Sequence, residues 1–181
     1  MRAGKLGSRL SGMYYQVIRQ FAFTLKNLDA ILTKAERYAE TRGFDVNNLV
    51  NARLAPDMLP FVAQVRIACD NAKTAAANLS GKPAPKHEDT EKTFEELHAR
   101  VGKALAFLDS LSEADFAKVT ADQPVKLAYP PNKALRASEY LIMRQVPNFY
   151  FHVATAYALL RHNGIDVGKD DYLGPLPLTD A

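Results

Sequence analysis

Asn148 and His152 lie one helical turn apart inside an otherwise apolar run, ASEYLIMRQVPNFYFHVATAYALLRHNG, from Ala137 to Gly164. On a helix Asn148, His152, Thr155 and Leu159 form one stripe, and Phe149, Val153, Ala156 and Leu160 form the next. A segment that is apolar nearly all round marks a central helix rather than a surface one. A second polar pair, Asp57 and Gln64, is seven residues apart and shares a face if Asp57 is helical. Should the two faces meet, the core holds a carboxylate, two carboxamides and an imidazole. Such a cluster is either a satisfied hydrogen-bond network that fixes helix register or the wall of a small-molecule or metal pocket. His162 lies ten residues beyond His152, roughly 15 Å along the helix axis, too far to share a site. Its position near the helix end suits a cationic partner for the helix dipole.

Other chemistry is sparse. No G-x-G-x-x-G, P-loop, H-E-x-x-H or G-x-S-x-G occurs. Cys69 is the single cysteine, so neither an intrachain disulfide nor a cysteine zinc cluster can form. It falls on an apolar stripe and reads as a small core residue. His87, in a proline-bound linker, and His98 read as surface residues.

The composition excludes several classes. The 23 Lys and Arg exceed the 20 Asp and Glu by three, and Arg2, Lys5 and Arg9 supply that excess in an acid-free opening stretch. From Met13 onward the charges balance, which argues against a phosphate-tracking surface and a nucleic-acid partner. No apolar segment of membrane-spanning length without charge is present, and a lone cysteine suits a reducing compartment. A cytoplasmic location is the expectation. Residues 1–12 lack the apolar stretch of a secretory signal. They read as a disordered basic leader, with a transit-peptide-like composition as the other reading.

The positioning elements follow from periodicity. Tyr14, Val17, Phe21, Leu25, Leu28, Leu32, Ala35 and Ala39 recur at three and four, ending at Gly43. Pro56 or Pro60 is expected in the first turn of a second helix, with Met58, Val62, Val65, Cys69, Ala72, Ala76 and Leu79 buried. GKPAPKHEDT links it to a third helix, capped by Asp89 or Thr90, whose face is Phe94, Leu97, Val101, Leu105 and Leu108. Ser112 to Asp115 reads as a capping box opening one short turn. VKLAY, closed by Pro130-Pro131, suggests a strand or small hairpin. Ser138 is the expected cap of the last helix. Pro147 must kink or split that helix, and Asn163-Gly164 stops it. The Pro-, Gly- and Asp-rich tail reads as non-helical. The fold class is all-α: an antiparallel, up-down four-helix bundle over residues 13–174, with a short extended insertion before the last helix and a tail at 175–181.

Three stretches, NARLAPDM…PFVAQVRIACDNAK, HEDTEKTFEELHARV and PNFYFHVATAYALLRHNG, resemble an uncharacterised bacterial family within the DinB/YfiT-like superfamily. The resemblance runs from about Met13 to Gly174. It implies a four-helix bundle, frequently a homodimer. Catalytic relatives hold a divalent metal with one histidine on the second helix and an H-x-x-x-H pair on the last, and some are thiol-dependent transferases. Aligned on LLRHNG, His152 takes the second position of that pair, Asn148 the first, and Gln64 the second-helix position. Asn and Gln offer neutral carbonyl oxygens, which bind zinc or nickel poorly. The resemblance therefore implies a degenerate metal site in a non-catalytic or small-ligand-binding homodimer, with Asp57, Gln64, Asn148 and His152 around the pocket and no required cofactor. The alternative is a divergent metal-dependent hydrolase or thiol-dependent transferase using Asp57 and His152 as metal ligands.

Overall fold

The apolar periodicity from Tyr14 to Ala39 becomes the buried face of α1 (Arg2–Arg42), which closes on Gly43 at φ 71°. The Phe44 N–H reaches the Ala39 carbonyl and satisfies one acceptor at the helix end. This computed structural model describes residues 2–180, with side chains from Gly12 on. The α1 backbone is helical from Arg2, through the stretch that reads as a disordered leader; Met1 and Ala181, the outermost residues of leader and tail, lie outside the described residues.

The connection to α2 (Phe61–Ser80) is ordered by a 3-10 turn at Val46–Leu49, whose cap Asp45 accepts from the Asn47 N–H. The helix starts after Pro60, not at Pro56. Proline disfavours helical geometry in the residue before it, so the helix cannot extend back through Leu59. Asp57 is consequently left in a turn. α3 (Phe94–Asp109) is capped by Thr93 rather than Asp89 or Thr90: Thr93 and Glu96 form a reciprocal capping box, while Asp89 bonds to Arg100. Ser112 and Asp115 form the expected box before the Glu113–Phe116 turn.

Helix directions differ from the expected up-down order. Cross-helix pairs place Arg19 beside Asp109 and Asp29 beside His98, so α1 and α3 are antiparallel. Phe61 stacks on Phe94, Asp70 meets Arg100, and Lys82 meets Asp115. These ascending pairs make α2 and α3 parallel. The connection 81–93 therefore crosses the length of the molecule. Extended, its residues reach about 40 Å, enough to return along a helix of about 30 Å. The order is up, down, down, up.

The last helical segment is continuous but changes register. α4 (Ala137–Glu139) passes into a π-helical turn, Tyr140–Gln145, and then into α5 (Val146–His162). The Val146 N–H bonds the Leu141 carbonyl, five residues back, and the wider turn accommodates Pro147, which has no N–H to give. Ser138 does not cap: its hydroxyl donates to the Ala121 carbonyl. Gln64 beside His152 and Asn78 beside Tyr140 show α5 antiparallel to α2, the most extensive helix pairing. Before this segment, β1 (Pro124–Lys126) and β2 (Ala134–Arg136) form the expected short hairpin. The tail holds one further helix, α6 (Lys169–Leu173), where none is expected. The Asp171 carboxylate accepts from Gly168 at its start, and the Asn27 amide donates to the Tyr172 and Leu173 carbonyls at its end. Among the described residues, no helix is long and apolar enough to cross a membrane.

Candidate functional site

His152 and Gln64 meet at the α2–α5 seam, where His152 Nδ1 lies 2.7 Å from Gln64 Oε1. Both side chains are buried, Gln64 at 1% exposure and His152 at 7%. The Gln64 amide nitrogen donates to the Leu59 carbonyl at 3.0 Å, which turns the amide oxygen toward His152. An oxygen there can only accept, so the imidazole carries its proton on Nδ1. Nε2 is then left with its lone pair. It has no protein partner among the described residues, yet it is not one of the buried polar atoms lacking one, so it opens to solvent. Burial lowers the His152 pKa below its ordinary value and favours the neutral ring. The outcome is a neutral imidazole of fixed tautomer whose free nitrogen is a base or acceptor at the molecular surface.

Phe151, 55% exposed, lies edge-on to the His152 ring at a centroid separation of 5.2 Å. Leu59, whose carbonyl holds Gln64, is itself exposed. Thr155, one turn on, bonds the Phe151 carbonyl rather than the imidazole.

The four expected site residues do not converge. Asn148 is exposed, and among the described residues no hydrogen bond joins it to His152 or Gln64. Asp57, outside α2, is exposed and likewise unconnected to the pair. A divalent metal of the kind implied by the DinB resemblance does not fit this donor set. Gln64 uses its oxygen on the imidazole and its nitrogen on a carbonyl, and Asn148 faces solvent. Among the described residues, no group of three or more His, Cys, Asp or Glu is placed to hold a metal ion.

Two polar clusters carry little signal in the sequence. Arg100, 1% exposed, donates to Asp70 at 2.6 Å, Glu91 at 2.8 Å, Asp89 at 3.2 Å and the Glu88 carbonyl at 3.1 Å. It ties the crossover 81–93 onto α2 and α3. His98 places Nδ1 2.6 Å from Asp29 and Nε2 3.2 Å from Glu36, bridging α3 to α1 instead of lying free on the surface. Both ring nitrogens can donate together only as imidazolium. Cys69 is buried, and burial pushes its thiol up to about 12, so it is an inert core residue.

Comparison with known proteins agrees with this architecture. The family described as Domain of unknown function (DUF1993) matches residues 13–173. The chain is similar to a crystal structure of a DinB family member protein from Shewanella denitrificans, with 44% sequence identity and a TM-score of 0.91. That match covers 96% of this chain and 99% of the other. No curated protein matches. The matched span contains both the helical core and the His152–Gln64 pair, and the chain belongs to the DinB-like family described as Domain of unknown function (DUF1993).

Proposed function

We infer that this protein is a DinB-like four-helix bundle of the cytoplasm that acts without a catalytic metal, as a non-catalytic or small-ligand-binding homodimer. The observation that carries this reading is the 2.7 Å bond between His152 and Gln64. At this helix seam, where catalytic DinB-like relatives place histidine ligands, an amide oxygen is committed to an imidazole proton. One imidazole lone pair then remains. A single neutral nitrogen holds a transition metal weakly, but it can accept a hydrogen bond from a ligand or from a second protein chain.

The homodimer rests on the exposed apolar side chains of the last helical segment. Phe151 is exposed beside the His152 ring, and Met143 and Ile142 are exposed on the π-helical turn of the same helical segment. Monomeric soluble proteins rarely leave large apolar patches uncovered.

Metal analysis of the purified, untagged protein tests the proposal. The expected result is substoichiometric zinc, nickel and manganese, both in the wild type and after incubation with each ion and desalting. Stoichiometric metal that disappears in His152→Ala would overturn the metal-free reading and favour the hydrolase or transferase alternative.

A further inference from the structure

We propose that residues 83–87 of the crossover form a strap that a single hydrogen bond holds against α2 at neutral pH and that acid releases. The crossover is pinned at both ends. Lys82 donates its backbone N–H to the Ser80 hydroxyl and pairs its ammonium with Asp115. Residues 88–91 are tied down by Arg100, which bonds the Glu88 carbonyl and the Asp89 and Glu91 carboxylates, and by Arg66, which donates to the Asp89 carbonyl. Between these anchors, among the described residues, one hydrogen bond is made: Lys73 Nζ lies 3.3 Å from His87 Nδ1. Packing does not stand in for the bonds that are missing. A cavity of about 590 Å³ is lined jointly by Pro83 and Pro85 of the strap and by Ala106 and Phe107 of α3.

The chemistry of that bond makes it sensitive to one proton. An ammonium can only donate, so His87 accepts through a bare Nδ1 and carries its proton on Nε2. An imidazolium has a proton on both nitrogens and cannot accept, and it sets a second positive charge against Lys73. Lys73 itself is buried, with Asp70 at 2.7 Å as its counter-ion, so it stays neutralised when His87 leaves. The charges facing His87 are Lys73 and Asp70 from α2, Arg100 and Lys103 from α3, and Lys86 and Glu88 beside it in the crossover. Of the other acids on this side, Glu91 is paired with Arg100, and Glu96 accepts from the Thr93 N–H. Burial first, and then the charge of Lys73, lowers the His87 pKa below its ordinary 6.5. A released ring therefore binds a proton more readily than the seated one. Release grows as pH falls below 6.5, by up to about tenfold per pH unit for one proton, and levels off below the seated pKa. The strap is separate from the His152 seam and stands or falls independently of it.

The test reads the open fraction of the strap as trypsin cleavage after Lys86 in the full chain. At each pH the rate is divided by that of a free peptide of the same 81–93 sequence. From about pH 7.5 to about pH 5.5 the ratio is expected to rise by up to about tenfold per pH unit. The His87 ring, followed by NMR in the same window, should titrate below 6.5. In His87→Asn the amide oxygen can still accept from Lys73 but takes up no proton, so the ratio should stay at its neutral-pH value throughout. Lys73→Gln removes the facing charge and should raise the His87 midpoint. The proposal is overturned if the wild-type ratio stays flat while His87 titrates, or if His87→Asn shows the same rise. It also fails if Lys73→Gln leaves the His87 midpoint where it was.

Discussion

The His152–Gln64 bond makes the protonation of one ring a readout of the seam. Burial depresses the His152 pKa from 6.5. The unfolded chain therefore binds the proton first as pH falls, and in the window below 6.5 unfolding takes up a proton that the native state lacks. Stability from this group is complete above pH 6.5 and is lost as pH falls toward the native pKa. NMR titration of the His152 carbons is expected to give a midpoint below that of unfolded histidine. In Gln64→Glu, a carboxylate facing Nδ1–H should move the midpoint upward. Gln64→Leu leaves a buried N–H and the Leu59 carbonyl without their partner, with an expected loss of about 1–3 kcal/mol in denaturant unfolding. The sequence left open whether the faces of Gln64 and His152 meet, as they do, although each as a polar position on a helix was legible. Depth was not. His152 sits at the edge of the buried face beside exposed Phe151, and the four residues back to Asn148 overshoot a full turn by about 40°, enough to turn that amide outward. The orientation of Gln64 depends on a backbone carbonyl, Leu59, which carries no side-chain signal at all.

At the level of elements, the helices were legible and their relative directions were not. Periodicity, Gly43, Gly81 and Gly164 mark the helices and three of their ends, but whether α2 and α3 run parallel depends on where the crossover is tied down. Arg100 supplies that tie through contacts separated by up to 30 residues in sequence. Its replacement, Arg100→Met, leaves Glu91 in a buried setting while Asp70 and Asp89 stay partly hydrated. The expected cost is about 3 kcal/mol, at the low end for a broken buried ion pair. Proteolysis within 81–93 should accelerate along with the fall in the unfolding midpoint. The tail gives an independent test. Gly174 has φ 68°, and a Cβ there would overlap the Asn27 amide that holds the end of α6. Gly174→Ala should therefore cost about 1–3 kcal/mol of local stability. Amide exchange in 169–173 should quicken while α2 and α5 keep their protection. Unchanged exchange in α6 would show that Asn27 does not anchor it.

Across the whole molecule, the proposed homodimer and the His152 seam become one question. The exposed apolar side chains of α5 are not scattered: Pro147, Phe151 and Ala154 follow at spacings of four and three. A stable interface buries roughly 800 Å² per partner around a few anchor side chains, and Phe151 is the largest exposed one at this edge. Sedimentation at micromolar concentration is expected to give a dimer for the wild type. Phe151→Glu would place a charge at the centre of the contact and should shift the protein to monomer without lowering its helical content. The contrast is Leu28→Asp, which buries a charge in the core of α1 where the side chain is 0% exposed. That cost of several kcal/mol, comparable to total stability, should abolish cooperative melting altogether. If Phe151→Glu remains a dimer, the two copies meet elsewhere and His152 Nε2 stays open to solvent for a ligand. If it becomes monomeric, the two copies meet through Phe151 beside the imidazole; a rise of the His152 midpoint in this variant is expected in either case, because the new carboxylate favours the protonated ring by its own charge.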